Sequence, residues 1–119
     1  MSRKENEGCR PIDIKESLAH LGGPGLKGAL AYIGTRHIDY ANRQRIRLYV
    51  NGKRGYTWYI NITVSVADLY DIELWSTRGS CKALLGEKSD LYFDDLQQAV
   101  EDLYDQAIRD HADGVISLN

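Results

Sequence analysis

The fold is decided by residues 56–75, YTWYINITVSVADLYDIELW. In the first half of this stretch the large apolar side chains occupy every second position, namely Trp58, Ile60, Ile62, Val64 and Val66. After Ala67 and Asp68 the alternation resumes, with Tyr70, Ile72 and Leu74 on one face and Asp71, Glu73 and Trp75 on the other. A period of two with many β-branched and aromatic residues is typical of half-buried strands. The stretch therefore predicts two consecutive strands joined by a four-residue turn.

Length and composition indicate a single domain. A chain of 119 residues with 43% hydrophobic and 27% charged residues can bury a core without disulfides or metals. The first ten residues carry almost no apolar side chains. We therefore expect residues 1–11 to be a disordered tail and residues 12–119 to form one α+β domain.

A short helix is predicted ahead of the sheet. Asp13 and Glu16 have the spacing of a capping box, and the apolar residues of DIKESLAHL (13–21) recur at helical intervals. The sequence GGPG (22–25) then ends the helix, because glycine suits the left-handed position after a helix and proline cannot continue one.

Two further strands are predicted between this helix and the central pair. Residues 29–40 are rich in Tyr, Ile and Ala around Gly34, which favours a strand with either a bulge or a close backbone approach at the glycine. Residues 44–50, QRIRLYV, alternate cleanly and place Arg45, Arg47 and Tyr49 on the outward face. The glycine-containing loop 51–55 leads from this strand into the central pair.

The C-terminal third changes from strand to helix. Residues 76–80 predict a turn and CKALLGE (81–87) a weak edge strand. Residues 94–112 show a period of 3.6 and predict a helix about 28 Å long, with Asp94 as its N-cap. The fold class is therefore α+β: a short N-terminal helix, an antiparallel sheet of four to five strands, and a long C-terminal helix packed on one face. One shared core is expected from Trp58, Ile60, Ile62, Ile72, Leu74, Leu96, Val100 and Leu103.

Charge is distributed unevenly along the chain. Residues 1–60 hold 11 Lys or Arg against 5 Asp or Glu, whereas residues 61–119 hold 4 against 12, although the net charge is only −2. The two halves could form surfaces of opposite charge that steer partners, or they could neutralise each other within one sheet. The charged N-terminus lacks the apolar segment of a secretory signal, and no apolar run is long enough to cross a bilayer, so we expect a cytoplasmic protein.

Three local phrases resemble a known group of proteins. AYIGTRHI (31–38), DLYDIEL (68–74) and LYFDDLQQAVEDL (91–103) are similar to phrases in small uncharacterised proteins encoded by bacteriophages and related mobile elements. The resemblance covers about residues 26–119, with Thr35 and His37 departing from the commoner Ala and Asn. It implies a shared small α+β fold and a mobile-element origin, but it carries no assigned activity.

The sequence offers little chemistry for catalysis or for a cofactor. His37 and Asp39 share one face of the predicted strand 29–40 and could form an acid–base pair, yet no Ser, Cys or Lys stands in a nucleophile context. Asp68, Asp71 and Glu73 are better explained by a turn and an outward strand face than by a metal site. Cys9 and Cys81 lack the spacing of a zinc site, and GGPG lacks the Lys-Ser/Thr of a phosphate loop. We therefore expect no enzyme, metal or cofactor.

The outward, arginine-bearing strand face is the strongest candidate binding surface. Its expected members are Arg36, Arg45, Arg47, Tyr49, Lys53, Arg54 and Tyr59. Arginines beside exposed aromatics could track phosphates while stacking bases, which would make the chain a single-stranded nucleic-acid-binding module. The leading hypothesis is instead a non-catalytic accessory protein that binds another protein, with a bacterial host factor as one candidate partner and an anti-defence role conceivable. The sequence names neither the partner nor the oligomeric state.

Overall fold

The fold is a six-stranded antiparallel sheet with helices on one side. A computed structural model describes residues 9–23, 28–40, 44–51 and 56–110. The elements in chain order are β1 (Cys9–Arg10), α1 (Ile14–His20), α2 (Ala29–Tyr32), β2 (Thr35–Asp39), β3 (Ile46–Asn51), β4 (Thr57–Ser65), β5 (Tyr70–Arg78), β6 (Cys81–Leu91) and α3 (Leu96–Asp110). The α+β class and its antiparallel sheet are thereby confirmed.

The sheet is a simple meander. Its strand order is β2-β3-β4-β5-β6, so each strand from β2 onward pairs with its neighbour in the chain. β1 lies off this path and pairs with the end of β4, Cys9 opposite Ser65, beyond the last residue that β3 pairs. β1 falls inside the predicted tail 1–11, and residues 1–8 lie outside the described part of the chain.

The predicted central pair is confirmed as β4 and β5. Residues 66–69 connect them, and Asp68 adopts a left-handed conformation with φ of 65°. Ser65 closes this turn, because its Oγ accepts hydrogen bonds from the backbone N–H groups of Ala67 and Leu69. Val66, which continues the apolar alternation of β4 in the sequence, is 69% exposed because it already belongs to the turn.

One hydrophobic core lies between the inner face of the sheet and the helices. The eight predicted core residues all belong to this cluster, and each is less than 7% exposed. The cluster also takes in Ile12, Leu21 and Ile33 from the segments around α1 and α2. Since burying one large apolar side chain contributes about 1.5 to 3 kcal/mol, this cluster is the main source of stability.

α1 is capped at both ends as its sequence predicts. Asp13 accepts a hydrogen bond from the Glu16 backbone N–H at 3.0 Å. At the other end Gly22 has φ of 98°, and its N–H donates to the Ala19 carbonyl while that of Gly23 donates to the Leu18 carbonyl. These two bonds are the pair that defines a Schellman motif, which glycine favours because the position is left-handed.

The predicted strand 29–40 is wrong in its first half. Residues 29–32 form α2, and only Thr35–Asp39 form a strand. Three of the four residues of ALAY are Ala or Leu, which are strong helix formers, and Gly34 with φ of 70° ends the turn of helix. The bulge expected at Gly34 lies one step later, between Thr35 and His37.

The predictions for the chain after β5 need three corrections. Residues 76–78 continue β5, and the turn is only Gly79–Ser80, where Gly79 has φ of 61°. β6 is therefore an eleven-residue strand that runs on to Leu91. Asp94 does not cap α3, because it lies inside a 3-10 turn formed by Phe93–Asp95. The predicted end of the helix near residue 112 lies outside the described residues.

α3 packs on one face of the sheet, as expected, and its contacts there are with β5 and β6. Its buried residues are Leu96, Ala99, Val100, Leu103 and Ala107. Its exposed side carries carboxylates that accept hydrogen bonds from glutamines four residues earlier, as Asp102 does from Gln98 at 2.9 Å. Among the described helices none is long and apolar enough to span a membrane.

Candidate functional site

The outer face of the sheet carries a row of aromatic side chains. The strand registers place His37 opposite Tyr49, Tyr49 opposite Tyr59, and Tyr59 opposite Trp75. Leu84 follows on β6, opposite Trp75. We name His37, Tyr49, Tyr59 and Trp75 the aromatic row; it crosses the sheet at right angles to the strands, on the face opposite the three helices.

The rings of the row pack against each other at an angle. The centroids of His37 and Tyr49 lie 5.6 Å apart with an interplanar angle of 36°, and those of Tyr49 and Tyr59 lie 5.7 Å apart at 54°. Tilted pairs at these distances are favourable for aromatic quadrupoles. The row is therefore a small packed cluster and not a flat stacking platform.

Arg47 covers the centre of the row. Its guanidinium carbon lies 4.2 Å from the centroid of the Tyr59 ring, so Tyr59 is only 4% exposed although it belongs to the outer face. Arg47 Nε donates to Asn61 Oδ1 at 2.9 Å, and Arg47 Nη1 donates to the Tyr49 hydroxyl at 3.4 Å. A cation–π contact combined with two hydrogen bonds fixes the guanidinium in place.

Trp75 is held in a similar way at the other end of the row. Its indole N–H donates to Glu73 Oε1 at 3.0 Å, and the Lys82 ammonium lies 4.8 Å from its ring centroid. Both Tyr59 and Trp75 thus have a cation over the ring. The outer surface at these points consists of charged groups supported by aromatic rings.

Charge on this face changes sign from one side of β4 to the other. β3 contributes Arg47 and, just before the strand, Arg45. β5 contributes Glu73 and also Asp71, which is only 8% exposed and accepts a hydrogen bond from the Asp90 backbone N–H. Glu87 on β6 stands directly opposite Glu73 and adds to the negative side. We call the β3 half the basic side and the β5–β6 half the acidic side of the outer face.

The structure brings together part of the predicted arginine-bearing surface. Arg47, Tyr49 and Tyr59 contact each other, and Arg45 precedes β3. Arg36 is exposed at the bulge of β2. Lys53 and Arg54 lie outside the described residues.

Sequence reasoning correctly assigned Tyr59 to the outer face but wrongly expected it to be exposed. It also did not assign Trp75, Asn61 and Lys82 to the site. The alternation along residues 70–75 already placed Trp75 on the outward face. The strand pairing that sets Trp75 opposite Tyr59 cannot be read from that alternation.

His37 and Asp39 lie on the outer face of β2, as their shared parity predicted. His37 stands opposite Tyr49 and packs its ring against it, and Asp39 stands opposite Arg47. Their surroundings therefore belong to the same packed surface as the aromatic row. Catalysis by this pair stays a hypothesis with no further support from its neighbours.

A pocket of about 350 Å³ lies at the end of the molecule where α1 meets β5. Tyr70 forms its floor, with its hydroxyl 3.0 Å from Ser17 Oγ and 2.9 Å from His20 Nδ1. The His20 ring also contacts Phe93, 5.0 Å between centroids, and Phe93 is 57% exposed. Because Ser17 and His20 both belong to α1, these hydrogen bonds to Tyr70 help to position α1 on the sheet.

No group of three or more His, Cys, Asp or Glu side chains within the described ranges is arranged to hold a metal ion. The outer face carries aromatic rings, fixed cations and carboxylates.

Comparison with known proteins found no matching family model, curated protein or solved structure. The function is therefore argued from the geometry of the outer face.

Proposed function

We propose that the chain is a non-catalytic, protein-binding accessory protein whose contact surface is the outer face of the sheet. The observation that supports this most directly is the aromatic row with Arg47 at its centre. Tyrosine, tryptophan and arginine dominate the energetically important residues of protein interfaces. Here all three lie together on one side of the sheet, away from the helices.

The rigidity of the row also favours this proposal. Arg47, Tyr49 and Trp75 are all held by neighbours before any partner arrives. A surface that is already ordered loses less side-chain entropy on binding. A cytoplasmic bacterial host factor is the partner class that the resemblance to phage-encoded proteins suggests.

Single-stranded nucleic acid is the second candidate ligand of this face. It would need phosphates near Arg45 and Arg47 and bases stacked on the tyrosines. Tyr59 is covered by Arg47 and is 4% exposed, so a base could stack on it only if the guanidinium moved. The carboxylates of Glu73 and Glu87 on the other half of the face would also repel a polyanion. Protein binding is therefore the better-supported function.

The test is capture of partners from a bacterial lysate with the wild-type chain and with variants of the face. We expect Tyr49→Ala and Lys82→Glu to lose at least about tenfold of the captured partner, because the first removes a ring of the aromatic row and the second replaces the cation over Trp75 with a carboxylate. Gln98→Ala, on the exposed side of α3, is the matched control and should capture normally. Circular dichroism confirms that each variant is folded. Loss with Gln98→Ala but not with the face variants would move the binding surface to α3 and contradict the proposal.

A further inference from the structure

We propose that a second copy of this chain occupies the outer face, with the two sheets packed face to face about a two-fold axis that runs along β4. This inference rests on the proposed protein-binding role of the face and names one partner for it. A face covered in this way is unavailable to other proteins, so self-association and binding of another partner exclude each other.

The change of charge sign across the face supports this arrangement. A two-fold axis parallel to β4 reverses the order of the strands, so that β3 of one copy lies over β5 of the other. The basic side, with Arg45 and Arg47, then meets the acidic side of the second copy, where Arg47 lies over Glu73. An axis in the sheet plane but perpendicular to the strands would instead place β3 over β3 and bring like charges together. Electrostatics thus selects one of the two ways of stacking the same face.

The row that crosses the sheet is compatible with the same axis. Tyr59 lies on the central strand β4, with Tyr49 one strand away on one side and Trp75 one strand away on the other. Rotation about β4 therefore lays Trp75 of one copy over Tyr49 of the second copy, and the reverse. Large rings meet large rings at the centre of the interface, where contacts contribute most.

One pair at the margin opposes the arrangement. Beside the aromatic row, a second line of paired residues crosses the sheet in the order Asp39, Arg47, Asn61, Glu73 and Glu87. Asp39 and Glu87 stand at its two ends, so the axis brings Asp39 of one copy over Glu87 of the other. Both lie at the edge of the face, where water screens charges. The dimer has two Asp39–Glu87 contacts and two Arg47–Glu73 pairs. The Arg47–Glu73 pairs lie nearer the centre of the interface, where water screens charges less, and so outweigh the repulsion.

The size of the face sets the expected affinity. Five strands about 4.8 Å apart span about 20 Å, and a nine-residue strand such as β4 is about 30 Å long. Each copy can therefore bury about 600 Å², giving a total of about 1,200 Å², the lower limit for a specific interface. We expect a dimer that forms in the micromolar range and weakens as salt is added.

Charge exchange between Arg47 and Glu73 tests the proposal. Sedimentation equilibrium of the full chain measures the dimer dissociation constant from micromolar to millimolar concentration. Arg47→Glu and Glu73→Arg should each weaken the dimer at least about tenfold, because each places like charges opposite one another. Mixing the two variants in equal amounts should restore a dimer, since every altered charge then meets its opposite. The chain carrying both substitutions should dimerise by itself for the same reason.

The mixing experiment also guards against misfolding, since two misfolded variants do not restore each other. Asp102→Arg on the exposed side of α3 makes a matched change of charge and should leave the dissociation constant unchanged. A monomer at the highest concentration, or a dimer that is insensitive to both single variants, would overturn the inference. If the chain stays monomeric while Tyr49→Ala abolishes partner capture, the dimer fails and the protein-binding function stands. If the charge exchange restores a dimer but no other protein is captured through this face, the dimer stands and the wider function fails.

Discussion

Tyr32 shows what a single exposed residue does for the helix layer. Its hydroxyl donates to both carboxylate oxygens of Asp105, at 3.0 and 2.8 Å, and so joins α2 to α3. This hydrogen bond, followed by desolvation and the Asp105 charge, raises the pKa of Tyr32. The phenol must remain protonated for the bond to exist.

The pH dependence of this contact follows from the direction of the shift. Because the pKa of Tyr32 is higher in the folded chain than in the unfolded one, the stabilisation is complete below about pH 10 and is lost as the pH rises through the raised value. We expect the ultraviolet titration of tyrosinate, taken as wild type minus Tyr32→Phe, to have its midpoint above that of a free tyrosine. Asp105→Asn should move this midpoint back down, whereas Asp110→Asn should not. The subtraction is needed because burial also raises the pKa of Tyr104. An unshifted difference curve would show that the contact does not exist in solution.

The contact between β6 and α3 depends on a glycine. A Cβ placed at Gly86 would lie 2.8 Å from Leu103 Cδ1, so the absence of a side chain lets α3 approach the sheet. Gly86→Ala should reduce the free energy of unfolding by about 1 kcal/mol, since overpacking costs about 1 to 3 kcal/mol and replacing a strand glycine recovers about 0.5 to 1 kcal/mol.

The change in the free energy of unfolding caused by Gly86→Ala should reverse its sign when Leu103 is shortened. Leu103→Ala alone should cost about 2 to 5 kcal/mol because it leaves a cavity. Adding Gly86→Ala to that variant should then stabilise the chain by about 0.5 to 1 kcal/mol, because the clash is gone and only the backbone gain remains. Urea unfolding of the four chains measures the coupling. The same loss in both backgrounds would show that Leu103 is not the obstacle.

Strands and helices whose apolar residues follow one clear period could be predicted from the sequence. Elements whose conformation depends on packing against the rest of the fold could not. β4, β5 and α3 each bury one clear face, so alternation or helical spacing identified them and the shared core. α2 is one turn of helix, too short for any period to appear, and tertiary packing of Ala29 and Ile33 decides its conformation. β6 is mostly exposed and bulged at two positions, so its alternation breaks near Leu85 and again near Asp90.

The candidate site was partly predictable for a similar reason. Parity along β3 and β4 placed Arg47, Tyr49 and Tyr59 on one face without any knowledge of pairing. The burial of Tyr59 under Arg47, and the position of Trp75 beside it, depend on the register between strands. Register is a property of the assembled sheet and not of any one segment.

At the scale of the whole molecule, charge argues against binding to a polyanion. The net charge is −2, and the carboxylates of Glu73 and Glu87 share the outer face with the arginines. We expect labelled single-stranded DNA and RNA to show little change in fluorescence anisotropy at physiological salt. Arg47→Gln should leave the anisotropy unchanged, and Glu73→Gln is the matched control that removes a charge of the opposite sign. Submicromolar binding with a steep salt dependence, flattened by Arg47→Gln by slightly less than one unit of slope, would establish nucleic acid as the ligand.

From β2 to β6 each strand pairs with its neighbour in the chain, and this order also determines how the sheet forms during folding. Strands that pair with their sequence neighbours close short loops, and Gly79–Ser80 is the shortest of those described, so local hairpins can form early and folding should be fast for a sheet protein. α3, however, follows every described strand in the chain. During synthesis the sheet can therefore form before Leu96, Val100 and Leu103 have left the ribosome, and its apolar inner face is then exposed to other nascent chains and to chaperones.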